Sequence, residues 1–265
     1  MALTPLMLES AHPTWHETLQ QAWGVLDPEF RGRLLENENW QPGHALMLKA
    51  FSLPISKVKT VLFGESPYPL RTDGSQSANG YAFWDAQVGG LWTEEGRLSK
   101  EVNRATSLRN IVKMLLLCKF QDDPLVDFDA EILKQNKAQS IENVPKEQLV
   151  KTLDHLFENL LAEGFLLLNS FLLLPPGLIA SQKVKEARMW QPFVEVIIDA
   201  LKSEHGVTGF NVIAFGKPAK QIESLPSMAG VELFISQHPY NVKFTFEKAV
   251  QSRFGGLSLL DRRSI

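Results

Sequence analysis

Four short runs of apolar residues, each bounded by polar or turn-forming residues, divide the sequence. They span residues 58–64 (VKTVLFG), 164–174 (GFLLLNSFLLL), 210–216 (FNVIAFG) and 231–239 (VELFISQHP). Short runs that are rich in β-branched residues and leucine, without a polar residue at every second position, are typical of strands buried on both faces of a sheet. The pattern therefore predicts four buried strands.

Helical periodicity fills segments between these runs. It extends over residues 107–120, 145–164 and 185–206, and the second pattern has Pro145 near its start and Gly164 just past its end. Strands that alternate with helices of this length are typical of βαβ units. We therefore expect an α/β fold with three layers, α/β/α, and a short, mostly parallel, four-stranded central sheet.

The remaining stretches fit a single domain that spans residues 1–265. Residues 1–50 hold three tryptophans amid helix-like spacing, which predicts a helical N-terminal cap packed on the sheet. Residues 121–144 (QDDPLVDFDAEILKQNKAQSIENV) are polar and acid-rich without clear periodicity, so we expect a surface excursion there.

Composition and charge narrow the class of protein. The chain has 27 basic and 30 acidic residues, so it has no bulk positive field and any DNA contact would be a local patch. Its single cysteine, Cys118, excludes a disulfide framework and a multi-cysteine zinc or iron–sulfur site, and we expect neither metal nor cofactor. No segment approaches the roughly 18 apolar residues of a membrane span, and we expect a cytoplasmic monomer that binds no membrane.

Polar side chains lie at the carboxyl ends of the predicted strands. Glu65 and Ser66 follow the first strand, Asn169 lies within the second run, and His238 lies near the end of the fourth. Because ligands of open parallel sheets bind beyond the carboxyl ends of the strands, these residues define a candidate site. The amide of Asn169 offers donors and acceptors on one planar group, which suits the edge of a base; alternatively, it bonds a neighbouring loop backbone.

Two further residues have both a functional and a structural interpretation. His238 either donates a proton or a hydrogen bond to a developing anion, or is a satisfied histidine at a strand end. Phe83, in the segment NGYAFWD, either packs in the core or stacks on a flat ligand. The segment FGKPAKQ is the only support for a nucleotide-binding protein, and it lacks both common glycine-rich phosphate-binding patterns.

The order of the motifs resembles that of the family 1 uracil-DNA glycosylases, from WHETLQ near the start of the chain to about VKF. The family's Gly-Gln-Asp-Pro-Tyr motif corresponds to GESPY (residues 64–68), its GLAFSV segment to NGYAFWD, and PPSLKNIYKEL to ATSLRNIVKMLL. GVLLLNTVLTV corresponds to GFLLLNSFLLL, GWETFTDKVI to MWQPFVEVII, VFLLWGAHAQ to NVIAFGKPAKQ, and HPSPLS to HPYNVKF. Because these matches occur in the same order at compatible spacing, the chain is identified as a member of this superfamily.

The resemblance implies a role for several residues. Asn169 would read the edge of uracil, Phe83 would stack on the ring, and Tyr68 would exclude the methyl group of thymine. His238 would donate a hydrogen bond to the uracil oxygen where negative charge develops, and Ser107 would contact a backbone phosphate. A base extruded from single- or double-stranded DNA needs such stacking and edge hydrogen bonds to offset its unstacking.

The sequence departs from the family at the residues that carry charge and contact DNA. Ser66 stands in place of the catalytic aspartate, and loss of one preorganised electrostatic group typically costs about 2.7–4 kcal/mol, on the order of 100- to 1000-fold in rate. Glu65 replaces a glutamine, and either supplies the missing carboxylate, with Asp73 as a second candidate, or faces away. In the DNA loop, Val242 replaces the wedging leucine, and Lys243 replaces a phosphate-binding serine.

Two functions are therefore open. The first is a monofunctional DNA glycosylase, a hydrolase that releases uracil or a related damaged base with an altered catalytic motif. The second is a catalytically inactive paralogue that binds a base, DNA or a partner protein. The retained Asn169 and His238 favour the enzyme, whereas Ser66 and the altered loop 240–243 favour the binding protein. Of the two, we favour the enzyme.

Overall fold

The computed structural model of the chain describes residues 2–36, 39–120, 145–179 and 181–262. The predicted surface excursion at 121–144 lies outside the described residues.

The chain divides into two compact units. Unit 1 comprises Met1–Ala86 and Gly164–Ile235, and unit 2 comprises Gln87–Glu163 and Ser236–Ile265. The single domain spanning the whole chain stays a prediction.

Strands and helices alternate along the described residues. The strands are β1 Thr60–Gly64, β2 Phe165–Asn169, β3 Asn211–Phe215 and β4 Glu232–Ser236. The α-helices are α1 Pro5–Leu8, α2 His16–Gly24, α3 Pro28–Glu36, α4 Lys100–Arg104, α5 Thr106–Phe120, α6 Leu153–Ala162, α7 Lys183–His205, α8 Lys217–Glu223 and α9 Lys248–Phe254. Short 3-10 helices lie at Pro13–Trp15, Lys49–Ser52, Ile55–Lys57, Pro226–Met228, Val242–Phe246 and Gly255–Leu257.

The four strands form one sheet in the order β2-β1-β3-β4. β1 pairs in parallel with β2 on one side and with β3 on the other. Every residue of β1 and β2 is buried, whereas β4, at an edge of the sheet, is mostly exposed or half-buried. The predicted α/β fold with a short, parallel, four-stranded sheet and flanking helices is confirmed. The prediction that all four strands are buried on both faces is wrong for β4, because an edge strand is covered less completely than a central one.

The apolar faces of the N-terminal helices pack on α7. The ring of Trp23 in α2 lies 6.4 Å from that of Trp190 in α7, and Phe30 in α3 meets Trp190 edge-on at 5.7 Å. These side chains share one hydrophobic core with Val61 and Phe63 of β1. The core therefore links the N-terminal helices, α7 and the central strand of unit 1.

One helix of unit 2 is shorter than its periodicity predicts. The pattern begins at Pro145, but α6 begins at Leu153. Thr152 is the N-cap of α6, and its hydroxyl accepts a hydrogen bond from a backbone N–H of the first turn. Upstream, the N–H of Val150 donates to the carbonyl of Leu260. Hydrogen bonding to a distant segment thus replaces the first two turns of the predicted helix.

Two absences hold for the described part of the chain. No helix there is long and apolar enough to cross a membrane. No group of three or more histidine, cysteine, aspartate or glutamate side chains in the same ranges could hold a metal ion.

Candidate functional site at the carboxyl ends of the strands

The register of β1 and β2 places Gly64 and Asn169 side by side at the carboxyl ends of the two strands. Asn169 is 2% exposed, and its Oδ1 has no hydrogen-bond partner among the described residues. A buried acceptor without a partner costs about 1–3 kcal/mol, so it marks either strain or a ligand site. A Cβ atom on Gly64 would lie 2.6 Å from this oxygen and 2.8 Å from the Cβ of Ala82. Only glycine leaves room for the amide at this position.

Hydrogen bonds fix the backbone around Asn169. The N–H and the hydroxyl of Ser170 both donate to the carbonyl of Gly64, at 2.9 and 3.0 Å. The N–H of Ala82 donates to the carbonyl of Leu167 at 3.0 Å. The backbone that positions Oδ1 of Asn169 is therefore already fixed before a ligand donates a hydrogen bond to this atom.

Phe83 and Tyr68, two of the predicted substrate-binding residues, lie in the segment that follows β1. Phe83 has a φ of 65°, in the left-handed region, which costs a non-glycine residue about 1–3 kcal/mol. Its half-buried ring packs against Phe215 at the end of β3, with the ring centroids 6.0 Å apart. Burial, together with the nearby carboxylate of Asp85, raises the pKa of Tyr68 to about 12, so its hydroxyl is neutral at physiological pH.

An ion pair holds the same loop. Nη2 of Arg71 contacts the two carboxylate oxygens of Asp85 at 2.9 and 2.8 Å, and its Nε donates to the hydroxyl of Ser77 at 3.0 Å. Charge-assisted bonds of this kind are about twice as strong as neutral ones. The exposed Asp73 accepts hydrogen bonds from the hydroxyl and the N–H of Ser75, which lower its pKa. Both carboxylates thus shape the loop, and the ion pair was missed at the sequence level.

Lys183, which was also missed, joins Glu65 and Ser66 at the end of β1. Its Nζ lies 2.7 Å from Oε2 of Glu65 and 3.2 Å from the hydroxyl oxygen of Ser66. The side chain of Glu65 is 37% exposed and that of Lys183 is 26% exposed, so both reach solvent. One negative and one positive charge make this cluster neutral overall. No sequence motif marks Lys183, because 118 positions separate it from Glu65 and only the fold brings the start of α7 to the strand end.

His238 lies in unit 2, in the loop that follows β4. Its Nδ1 accepts a hydrogen bond from the N–H of Tyr240 at 3.1 Å. In the neutral imidazole the hydrogen is then carried by Nε2, which makes Nε2 the donor. The fully buried Asn110 of α5 donates from Nδ2 to the carbonyl of Pro239 at 2.6 Å. This bond anchors the loop to α5.

The same loop is also held at its far end. The carboxylate of Glu247 accepts hydrogen bonds from the hydroxyl of Ser236 and the amide of Gln237. Nδ2 of Asn241 donates to Oε1 of Gln237 at 2.7 Å, and Oδ1 of Asn241 accepts from the N–H of Lys243 at 3.0 Å. The loop that carries His238 is therefore preorganised.

The residues predicted to contact DNA differ in exposure. Ser107, in the first turn of α5, is buried, Val242 is half-buried, and Lys243 is exposed. The ring of Tyr240 is 72% exposed, more than any other exposed large apolar side chain of the described residues. The most exposed large apolar side chain of this loop is thus an aromatic ring to which the sequence analysis assigned no role.

The chain is an α/β protein with a short parallel sheet. Glu65, Ser66 and Asn169 lie at the carboxyl ends of its strands β1 and β2. The wild-type UNG from Nitratifractor salsuginis is 30% identical, with a TM-score of 0.81, over 98% of this chain and 99% of that one. A mutant of that UNG is 31% identical, with a TM-score of 0.81, over 97% of each chain. Mimivirus uracil-DNA glycosylase shares the fold at 18% identity, with a TM-score of 0.56, over 89% of this chain and 72% of that one.

No protein-family model and no curated protein matches the chain. The agreement with the Nitratifractor structure over nearly the whole of both chains is sufficient: the chain belongs to the uracil-DNA glycosylase superfamily. The membership of this superfamily that the sequence predicts is confirmed.

Gly64→Ala is expected to destabilise the protein, because the new Cβ would clash with Oδ1 of Asn169 and with Ala82. Overpacking of this kind typically costs about 1–3 kcal/mol. Gly32→Ala is the matched control: nothing lies within 4 Å of a Cβ at this position in α3, and alanine stabilises a helix interior by about 0.5–1 kcal/mol. Urea unfolding compares the two variants, and equal stability would contradict the close packing at the ends of β1 and β2.

Proposed function

We propose that the protein is a DNA glycosylase that hydrolyses the N-glycosidic bond of uracil or a related damaged base. The observation that carries the proposal is Oδ1 of Asn169, a buried acceptor without a partner among the described residues. The ring N–H at position 3 of uracil is a donor that matches this oxygen, whereas cytosine has a lone pair there and would be repelled. The strand end is therefore suited to a base with the edge of uracil.

Two side chains support the recognition of a flat pyrimidine. The accessible part of the Phe83 ring provides a surface on which the base stacks, and the contact with the ring of Phe215 supports it. Tyr68 crowds the position that the methyl group of thymine would occupy. We therefore assign both residues to substrate binding.

We assign His238 the role of hydrogen-bond donor to the anion that develops on the leaving base. Nε2 carries the hydrogen in the neutral imidazole because Nδ1 accepts from Tyr240. The bonds of Asn110 and Glu247 hold this loop before the reaction starts. A donor that is already oriented needs no reorganisation as the charge forms.

Glu65 takes the carboxylate role in this proposal, since Ser66 carries no charge. The ammonium of Lys183 at 2.7 Å offsets the charge of Glu65, so the cluster stabilises a sugar cation less than a lone carboxylate would. We therefore expect slow excision. The same ion pair favours the second candidate function, a paralogue that binds the base or DNA without hydrolysis.

Single-turnover excision distinguishes the two functions. Enzyme in excess is mixed with single-stranded and duplex oligonucleotides that carry uracil, and the natural protein is compared with Glu65→Gln. We expect slow excision that is abolished in Glu65→Gln, because the amide removes the one negative charge of the cluster. Uracil-DNA binding without any excision by the natural protein would support the binding function instead.

DNA is the proposed partner, contacted by Ser107, Val242 and Lys243. A cytoplasmic monomer remains our expectation.

We add Tyr240 to this surface and expect Tyr240→Ala to lower single-turnover excision from duplex DNA about tenfold. Base–aromatic stacking contributes about 1–3 kcal/mol, and the ring would fill the gap that a flipped base leaves. Excision from single-stranded DNA, which has no such gap, is the internal comparison. Val242→Ala serves as the control. A larger loss of excision from duplex DNA in that variant would show that Val242, and not Tyr240, inserts into the base stack.

A further inference from the structure

We propose a second activity at the end of β1: the amine of Lys183 forms an imine with the aldehyde of an abasic deoxyribose in DNA and opens the strand by β-elimination. The inference rests on the proposed function in one respect, since it takes the sugar of the flipped nucleotide to lie beside Ser66. It adds a substrate, the abasic site, and a nucleophile that base excision does not require.

The position and accessibility of Lys183 carry the proposal. Its Nζ lies 3.2 Å from the hydroxyl of Ser66, the residue at which the sugar is expected. The side chain is 26% exposed, so Lys183 lies at the surface and not in the core. Lysine amines are the side chains that form Schiff bases with carbonyl substrates. Lys183 thus places an amine that can form a Schiff base at the carboxyl end of β1, within unit 1.

The neighbours of Lys183 can accept and return the protons that imine formation requires. The carboxylate of Glu65, 2.7 Å away, is the nearest acceptor for the proton that the ammonium must lose. A hydroxyl at position 66 can accept from the ammonium or donate to the neutral amine. The ion pair with Glu65 already favours the ammonium form, and an aspartate at position 66 would add a second ion pair that opposes loss of the proton further. The change from aspartate to Ser66 and the presence of Lys183 therefore have one common explanation.

The reaction needs no oxidant or reductant. The lone pair of the neutral Nζ attacks C1′ of the open-chain sugar. The carbonyl oxygen leaves as water after it receives one proton from Nζ and the proton that Glu65 had accepted, which yields the protonated C1′=N imine and returns Glu65 to its carboxylate form. Glu65 then removes a proton from C2′, the electron pair forms the C2′=C3′ double bond, and the C3′–O bond breaks. The downstream strand leaves with a 5′-phosphate, and water hydrolyses the imine to return the amine of Lys183.

Borohydride reduction tests for the imine directly, because it converts the imine into a stable covalent bond. The full-length protein is mixed with an oligonucleotide that already contains an abasic site, and the covalent complex is measured on a denaturing gel. We expect Lys183→Arg, which keeps the positive charge beside Glu65, to trap less DNA by about tenfold or more. Lys185→Arg is the matched control, since Lys185 is exposed on the same helix, and it should trap as the natural protein does. Undiminished trapping by Lys183→Arg, or no trapping by the natural protein, would overturn the proposal.

The preformed abasic site keeps this test separate from base excision. Trapping without uracil excision would support imine formation by Lys183 and contradict the proposed glycosylase activity. Excision of uracil without trapping would support the glycosylase activity and contradict strand cleavage through an imine. The two proposals therefore fail independently.

Discussion

Asn169→Ala is expected to slow single-turnover excision of uracil on the order of 100- to 1000-fold, while the free energy of unfolding stays nearly unchanged. The kinetic loss follows from removing a preorganised acceptor that, in the proposed function, receives a hydrogen bond from the edge of the base. Little stability is lost with Oδ1, because that atom has no hydrogen-bond partner among the described residues. Asn169→Leu, which keeps most of the side-chain volume, separates a packing defect from the loss of the polar group.

Ser170→Ala is the neighbouring control for this prediction. Its buried hydroxyl donates to the carbonyl of Gly64, so its loss should cost about 0.5–1.5 kcal/mol of stability and little of the excision rate. Urea unfolding and single-turnover kinetics on the same preparations give both quantities. The reverse pattern, with Asn169→Leu strongly destabilised and still active, would make Asn169 a structural residue.

Ser66→Asp is expected to raise the excision rate on the order of 100- to 1000-fold, the second large effect. The cluster of Glu65, Ser66 and Lys183 has no net charge, and an aspartate at position 66 would give it a net charge of −1. Because an oxocarbenium-like sugar is positively charged, this change stabilises the transition state more than the ground state. Single-turnover rates on uracil-containing single strands measure the gain.

Ser66→Asn provides the control, because asparagine has nearly the shape of aspartate without its charge. A comparable gain in Ser66→Asn would show that side-chain size, and not charge, limits the reaction. An unchanged rate in Ser66→Asp would mean that Lys183 neutralises the new carboxylate completely, and the double variant Ser66→Asp with Lys183→Met should then be fast.

The central strands were predictable because their signal is local. The apolar runs that predict β1, β2 and β3 contain the observed strands, and each run needs only neighbouring residues to be recognised. The polar residues at their ends could be placed at one edge of the sheet because parallel strands align their carboxyl ends. The helix expected from Pro145 failed for the opposite reason, since its first turns bond to a segment distant in the sequence.

The site could be predicted only as a set of residue types. Asn169 was recognisable as a costly amide inside an apolar run, and the register of β1 and β2 then showed that its oxygen is unpaired and that Gly64 makes room for it. The ring of Tyr240 could not be singled out from the sequence, because its solvent exposure depends on the tertiary structure of the loop.

The sequence by itself determined the fold class, the family resemblance and the identity of the residues at the strand ends, because periodicity and motif order are properties of short stretches of chain. Only the tertiary structure decided which charges meet. Lys183 reaches Glu65 because unit 1 brings the first residue of α7 to the end of β1, across 118 positions of sequence. Electrostatic interactions depend on distance in space, so the net charge of the cluster of Glu65, Ser66 and Lys183 could not be inferred from the order of the residues.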